Sequence, residues 1–442
     1  MKQKIDKIKR RGPRSYRKKN KNRGDGAAKY IIIILAVCIA IAGLILLLGR
    51  MDSVRNLFSR PSGEGTPAVT EPSGEGTQPS TEEPTTEPRS AEAVINLMGD
   101  AYVNSGLVLT SKTGDNTYDF SPILSPVAGS LQNGFSICNF ETAVDLYGGN
   151  SQLSYYPKYN APLELPQALK NAGVDLVNTA NNHAFDFGLQ GLLATREKLR
   201  AAGLDTVGTY ADAADAAGYY IKEENGVKIG VVSYSYLDGV PEGDGTMKTF
   251  DRMSLSDVPA ILKDAAGCRA AGADIVILSL HWGREYEEAP SDLQRQMAKQ
   301  LCEGGVDVIM GHGSHVLQEA EKLSVDRSGT PADAYVFYSL GDFMVDLTSV
   351  NRPLTQYGGI ARLTVEKADG KTVVREAGLV PLHIAKIAEG STVVYRVLPA
   401  MEYAGSAARP EVYKRDSEWQ ACKAAYERAK GVMPADIPLL AK

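Results

Sequence analysis

Residues 275–315 read IVILSLHWGREYEEAPSDLQRQMAKQLCEGGVDVIMGHGSH. The apolar run Ile275–Leu280 is followed at once by His281. A helix-period segment, Asp292–Glu303, comes next, and a second apolar run, Val308–Met310, gives way to Gly311-His312-Gly313-Ser314-His315. Short continuous apolar runs suit strands buried on both faces, and a helix between two of them suits a parallel crossover. The stretch therefore predicts strand, helix, strand, with histidine just beyond each strand.

The same grammar extends in both directions. Further strands are expected at Val94–Met98, Phe135–Cys138, Leu176–Thr179, Ile229–Tyr234 and Val336–Leu340, and helices at Leu165–Ala172, Gly191–Ala202 and Val258–Ala271. Alternation of this kind predicts an α/β fold with a largely central sheet. Gly359–Glu366 and Lys371–Glu376 alternate apolar and polar residues without a helix between them, so an antiparallel portion should come after the α/β part.

Chemistry-bearing residues fall where those strands end. Asp100 closes the first, Asn139 and Glu141 the second, and Asn182 and His183 the third. Four of the five histidines in the chain occupy such places. Loops at the carboxyl ends of parallel strands converge on one edge. Carboxylate, imidazole and amide oxygen gathered there form the ligand mixture of a two-metal hydrolytic centre. Taken singly, each has a plain structural explanation. A carboxylate at a strand end is commonly a helix cap, Asn182 an Asx-turn residue, His281 a packed core histidine, and His312 and His315 turn caps. Their joint placement is what points to metal. His383, after Pro381-Leu382, is expected to be structural.

Composition bounds the rest. With 442 residues, 43% hydrophobic and 23% charged, the chain is large enough for a substantial core. Thirteen Lys/Arg and two Asp/Glu fall within residues 1–29, so the net charge of −5 leaves −16 for residues 30–442. A body so acidic argues against nucleic acid as a partner. Five cysteines, with no Cys-x-x-Cys, exclude a disulfide-built miniprotein; their pairing is not readable from spacing. Residues 30–49, YIIIILAVCIAIAGLILLLG, carry no charge. As a helix they would reach ~30 Å, the thickness of a bilayer core. The cationic segment before them should stay in the cytoplasm and attract anionic membrane lipid, placing the remainder outside the cell. Residues 50–92, with PSGEGT at 61–66 and again at 72–77, read as a disordered extracellular linker. A main domain is expected over 93–385 and a C-terminal extension over 386–442, within which Glu411–Lys430 should be helical.

The segments NLMGD (96–100), NFETAV (139–144), ANNHAFDFGLQGLLAT (180–195), LSLHWGREYEEAP (278–290), GVDVIMGHGSHVLQ (305–318) and FYSLGDF (337–343) together resemble the CapA family of poly-γ-glutamate capsule biosynthesis proteins, relatives of the calcineurin-like metallophosphoesterases. The resemblance implies a four-layered α/β/β/α sandwich with an N-terminal transmembrane anchor and two divalent cations, with Mn, Fe or Zn all plausible. It implies Asp100, Glu141, Asn182, His281, His312 and His315 as metal ligands, with Glu141 in the bridging place. His183 would protonate a leaving group, oriented by Asp186. Asn139, Arg284 and Asp342 are candidates for substrate contact. Arg284 could equally be a surface partner of Glu287 or Glu288. Three departures stand out. Tyr102 takes the place of a histidine ligand, Gly313 and Ser314 replace a His and a Pro between the last two histidines, and Asp342 stands where the family usually has Asn.

The resemblance implies a metal-dependent hydrolase or transferase outside the cell that takes part in capsule-polymer synthesis or export, with the polymer or its synthetase subunits as partners. The alternatives are a non-catalytic polymer-binding component, with Arg284 and Lys158 offsetting the acidic body, or a hydrolase of another cell-surface phosphoester or amide.

Overall fold

The computed structural model describes residues 90–236, 246–250, 253–345, 347 and 352–442. The basic segment, the apolar run 30–49 and nearly all of the expected linker lie outside them. Among the described residues no helix is long and apolar enough to cross a membrane.

Fifteen strands matter here: β1 (Ala91–Ala101), β2 (Phe135–Phe140), β3 (Leu176–Asn178), β4 (Asp205–Val207), β5 (Tyr220–Glu224), β6 (Val227–Tyr236), β7 (Thr249–Phe250), β8 (Ile275–His281), β9 (Val308–His312), β10 (Ala320–Arg327), β11 (Thr330–Phe337), β12 (Asp342–Met344), β13 (Tyr357–Ala368), β14 (Lys371–Glu389) and β15 (Thr392–Pro399). Six helices pack on them: α1 (Ser121–Leu131), α2 (Glu164–Ala172), α3 (Gly188–Ala201), α4 (Val258–Ala270), α5 (Asp292–Glu303) and α6 (Asp416–Val432).

The strands form two large sheets, not the one central sheet that their alternation with helices suggested. The first has eight strands in the order β15-β14-β13-β1-β2-β3-β4, with β12 beside β1; the second has seven in the order β7-β6-β8-β9-β11-β10, with β5 beside β6. Within each sheet a parallel set, β1-β2-β3-β4 with β12 beside β1 or β7-β6-β8-β9-β11, is joined by antiparallel strands. Alternation in sequence says which segments are strands, but not which strands share hydrogen bonds.

Side chains alternate across each strand, and the cores show where each face goes. Ile95 and Leu97 of β1 and Ile137 of β2 meet Ile229, Ile277 and Val308 of the second sheet in one core between the sheets. Met98 and Cys138 face the other way, against Leu124 and Val127 of α1 and Leu165 and Leu169 of α2. Val276 and Leu278 turn outward onto Ile261 of α4 and Met297 and Leu301 of α5. Each fully buried Leu or Ile stabilises this packing by about 1.5–3 kcal/mol. Helix α5 begins where the sequence placed it, closed by a reciprocal cap in which Ser291 Oγ accepts from the Gln294 N–H and Gln294 Oε1 accepts from the Ser291 N–H.

The domain end expected at residue 385 falls inside β14. Residues 392–399 extend the same sheet, and α6 supplies Ala429 to the inter-sheet core. Cys138, Cys268, Cys302 and Cys422 are buried and unpaired.

Candidate metal centre

The carboxyl ends of β1 and β2 of the first sheet and of β8 and β9 of the second meet, and each presents a side chain. At the end of β1 the pairing slips between Met98 and Asp100. Gly99 is required there, because a Cβ would lie 1.8 Å from the Gly341 carbonyl oxygen. That close approach lets the Asp100 N–H donate to Gly341 O at 3.0 Å and sets Asp342 of β12 opposite Asp100. From β2 come Asn139 and, one residue past its end, Glu141. The second sheet contributes His281 and His312, the last residues of β8 and β9, paired across the ladder. The chain then turns through Gly313 and Ser314 to His315, which has a left-handed backbone with φ of 60°.

These side chains converge. His312 Nδ1 lies 3.2 Å from Asp100 Oδ1 and His315 Nδ1 lies 3.2 Å from Asp100 Oδ2, both close without being aligned as hydrogen bonds. His315 Nδ1 also meets Asp342 Oδ1 at 3.0 Å. Glu141 Oε1 is 4.0 Å from His281 Nε2 and 3.9 Å from His315 Nε2. Two groups have ligand atoms all within 4.8 Å of one another, Asp100 with His315 and Asp342, and Asp100 with Glu141 and His281. Asp100 is common to both groups.

The chemistry of this donor set fits divalent cations. Eleven buried side-chain nitrogens and oxygens among the described residues lack a hydrogen-bond partner. Seven of them are here: Asp100 Oδ2, Glu141 Oε1, Asn182 Oδ1, His281 Nδ1, both ring nitrogens of His312 and Asp342 Oδ2. A buried unpartnered polar atom is expensive, and a buried unpaired carboxylate more so. Seven in one cluster match a site whose partner is an ion.

Burial and mutual proximity shift the titration of the whole cluster. Burial alone would raise the Asp100 carboxyl, but the adjacent His312 and His315 outweigh it and hold it well below the usual carboxylate range. Burial, followed by the charge of Asp100, drives Glu141 well above that range. Burial pushes Asp342 up to about 7 even with His315 beside it. His281 is pushed down to about 3 by burial. His315, although burial opposes its charge, is driven well above the ordinary imidazole value by Asp342 and Glu141.

Several sequence expectations are revised. Asn139, expected as a substrate contact, is fully buried. Its amide hydrogens go to Asp100 Oδ1 (2.8 Å) and Glu141 Oε2 (3.0 Å) and its oxygen accepts from Asn178 and Asn181, so nothing remains for a substrate. Asp342, expected in the same role, is fully buried and belongs to one of the two ligand groups. Arg284 is exposed, and Glu288, one of its expected partners, bonds Arg428 instead. Lys158 is exposed and lies 5.9 Å over the Phe187 ring. His383 is a buried structural residue paired with the Tyr413 hydroxyl at 3.1 Å.

His183 and Asp186 do form a pair, Nδ1 to Oδ2 at 2.9 Å. The Tyr159 N–H donates to the same Asp186 oxygen at 2.8 Å, and the Tyr159 ring stands edge-on to His183 at 4.6 Å. Asn182 joins His281, Tyr236 and Glu285 in lining an open cavity of about 270 Å³ at the mouth. Tyr102 fills the place of the absent histidine ligand, its ring 5.5 Å from that of His315. Gly313, at φ of 106°, has a backbone few other residues adopt; a Cβ there would come 2.8 Å from Trp282 O and 3.2 Å from His281 Nε2.

Sequence reading missed the residues that support the ligands, because an asparagine or serine inside a strand carries no motif. It also missed Arg428 of α6. That guanidinium donates to Leu317 O (2.9 and 3.2 Å), Glu288 O (2.9 Å) and Glu288 Oε2 (2.8 Å), tying the His315 loop to the loop after His281.

The profile of the family described as "Bacterial capsule synthesis protein PGA_cap" matches residues 94–347, more than half of the chain. The chain belongs to this family. PGA_cap residues thus include every ligand candidate, while β13–β15 and α6, with Arg428, lie beyond the match. The PGA biosynthesis protein CapA of Bacillus subtilis (strain 168) is 31% identical over 264 residues, 58% of this chain and 63% of that protein. The capsule biosynthesis protein CapA of Bacillus anthracis is 34% identical over 191 residues, 42% of this chain and 44% of that one. The chain thus spans less than two thirds of either relative's length. The solved structure of the calcineurin-like phosphoesterase YfkN from Bacillus subtilis is similar over 78% of this chain and 99% of that one, at 16% identity and a TM-score of 0.36.

Proposed function

We propose that this protein is a membrane-anchored, extracellular component of poly-γ-glutamate capsule synthesis or export, and that its cluster holds two divalent cations and acts as a hydrolase or transferase. The observation that carries the site reading is the set of seven unpartnered polar atoms on Asp100, Glu141, Asn182, His281, His312 and Asp342. The polymer assignment is supported by the capsule and PGA biosynthesis roles that the CapA relatives' names state and by family membership. The anchor and the outward orientation rest on the uncharged run 30–49 and the basic residues before it.

Asp100, His315 and Asp342 would hold one cation and Asp100, Glu141 and His281 the other, with Asn182 and His312 supplying further donors. Bound there, the cations would polarise an ester or amide oxygen and lower the pKa of water. The protein's own groups do the rest. His183, its Nδ1 bonded to Asp186, has Nε2 available to give a proton to a leaving group. Tyr159 fixes the pair from both sides, by its N–H on Asp186 and its ring on His183.

A second reading is a site that retains polymer carboxylates without turnover. Tyr102 and Gly313, standing where two histidine ligands are expected, favour it. Metal analysis of the purified full-length chain, with phosphoester and γ-glutamyl amide assays on wild type and His183→Ala, separates the two. Bound metal with turnover that collapses in His183→Ala supports the enzyme; bound metal, retained polymer and no turnover support the holding role. Absence of bound metal refutes both.

A further inference from the structure

Resting on the metal reading above, we infer that Ser233 and Asn178 are positioning residues, forming with Asn139 a one-way hydrogen-bond relay that crosses between the sheets and decides which carboxylate oxygens face the cations. The path starts on β6 of the second sheet. Ser233 Oγ donates to Asn178 Oδ1 at 2.5 Å, Asn178 Nδ2 donates to Asn139 Oδ1 at 2.9 Å, and Asn139 Nδ2 donates to Asp100 Oδ1 at 2.8 Å and Glu141 Oε2 at 3.0 Å. Ser233, Asn178 and Asn139 are fully buried, so water does not substitute for a missing link.

Direction is the point. An amide offers oxygen on one side and two hydrogens on the other, and the wrong face of Asn139 would set its oxygen against two carboxylates. The donor from Asn178, joined by Asn181 Nδ2 at 3.2 Å, holds the Asn139 oxygen away from them. Asn178 is held in turn, since its own oxygen accepts from Ser233 and from the Ala180 N–H at 3.1 Å. Every step thus points hydrogen toward negative charge, and bonds aligned in this way polarise one another.

The consequence shows in which atoms are left over. Asn139 engages Asp100 Oδ1 and Glu141 Oε2, and the oxygens without a hydrogen-bond partner are the other two, Asp100 Oδ2 and Glu141 Oε1. The relay thereby presents one oxygen of each carboxylate. A Lys or Arg in place of Asn139 would orient the carboxylates too, but its charge would compete with the cations; a neutral amide does not. Because His281, His312 and His315 come from the second sheet and Asp100 and Glu141 from the first, the Ser233–Asn178 bond also ties together the two halves of the ligand set. Gly208 leaves room for the relay, since a Cβ there would lie 2.7 Å from Asn178 Oδ1.

The test uses the full-length chain stripped of metal and titrated with Co²⁺, read by affinity and by the visible absorption of the bound ion, with the unfolding midpoint in chelator as a control for fold. Ser233→Ala should weaken Co²⁺ binding about 3- to 10-fold, the loss of one buried hydrogen bond. Asn178→Leu should weaken it about 10- to 100-fold, as supporting-residue changes around metal ligands do. Both should alter the absorption band, a signature that a merely structural role would not move. Should Asn178→Leu fail to fold, Ser233→Ala carries the comparison. Wild-type binding matched by Ser233→Ala in affinity and spectrum overturns the relay and leaves the metal reading standing. A wild-type chain that binds no Co²⁺ overturns the metal reading and the relay with it.

Discussion

Asp342→Asn replaces the carboxylate with the residue expected there from the resemblance, and its effect should change sign with metal. In the metal-free chain burial pushes the Asp342 carboxyl up to about 7, against an ordinary value of 3.8. A group whose folded value is raised in this way destabilises the fold once ionised. At about 1.4 kcal/mol per pH unit of difference, the ionised form costs about 4 kcal/mol. Below pH ~4 the carboxyl is protonated in folded and unfolded chains alike and the cost is absent. It grows as pH rises from ~4 to ~7 and is constant above. Asn keeps an oxygen for His315 Nδ1 and carries no charge. In chelator at pH 8 the variant should therefore be more stable by about 4 kcal/mol, an increase of about 5 °C in the unfolding midpoint for a body spanning residues 91–442. At pH 4 the two chains should melt together. With Mn²⁺ present the order should narrow or invert, because the wild type would offer the cation one more anionic oxygen. Thermal unfolding at four pH values, with chelator and with metal, reads all of this. An Asp342→Asn chain that is less stable than wild type at pH 8 in chelator would refute the claim that this carboxylate is held for a cation.

His183→Ala should lower turnover about 10²- to 10⁴-fold while Co²⁺ affinity stays at the wild-type value, because His183 belongs to neither candidate ligand group, measured by steady-state rates and by titration. Arg428→Ala removes four donated bonds to two site loops and should cost about 1–3 kcal/mol by denaturant unfolding, with weaker metal binding as a second readout. Gly313→His, which restores a family-like ligand, should destabilise the chain by about 1–3 kcal/mol, because its backbone at φ of 106° and the nearby Trp282 carbonyl leave no place for a Cβ. A Gly313→His chain that is as stable as wild type and binds metal more tightly would show that the loop adapts.

Much of the site was legible in the chain because strand ends are local events. An apolar run that stops at Asp100, Glu141, His281 or His312 declares both the strand and the residue it delivers, and parallel order brings those ends to one side. Helix α5 was readable to the residue, since its cap and its apolar face lie within a dozen positions. The Asn-His-x-x-Asp segment that pairs His183 with Asp186 is local as well.

The tertiary structure alone decided which strands belong to which sheet, because hydrogen bonding between strands follows no sequence spacing. It placed Asp100 in both candidate ligand groups, moved Asn139 and Asp342 from substrate contacts into the interior, and gave the C-terminal helix a hold on the site through Arg428. It also exposed Ser233 and Asn178, which belong to no motif and matter only through partners 55 and 39 positions away. The chain by itself set which side chains close the strands and where those strands end, since both depend on neighbours in sequence. Orientation of each ligand atom, and the burial that leaves it without a partner, depend on contacts between distant segments and so appear only once both sheets have packed.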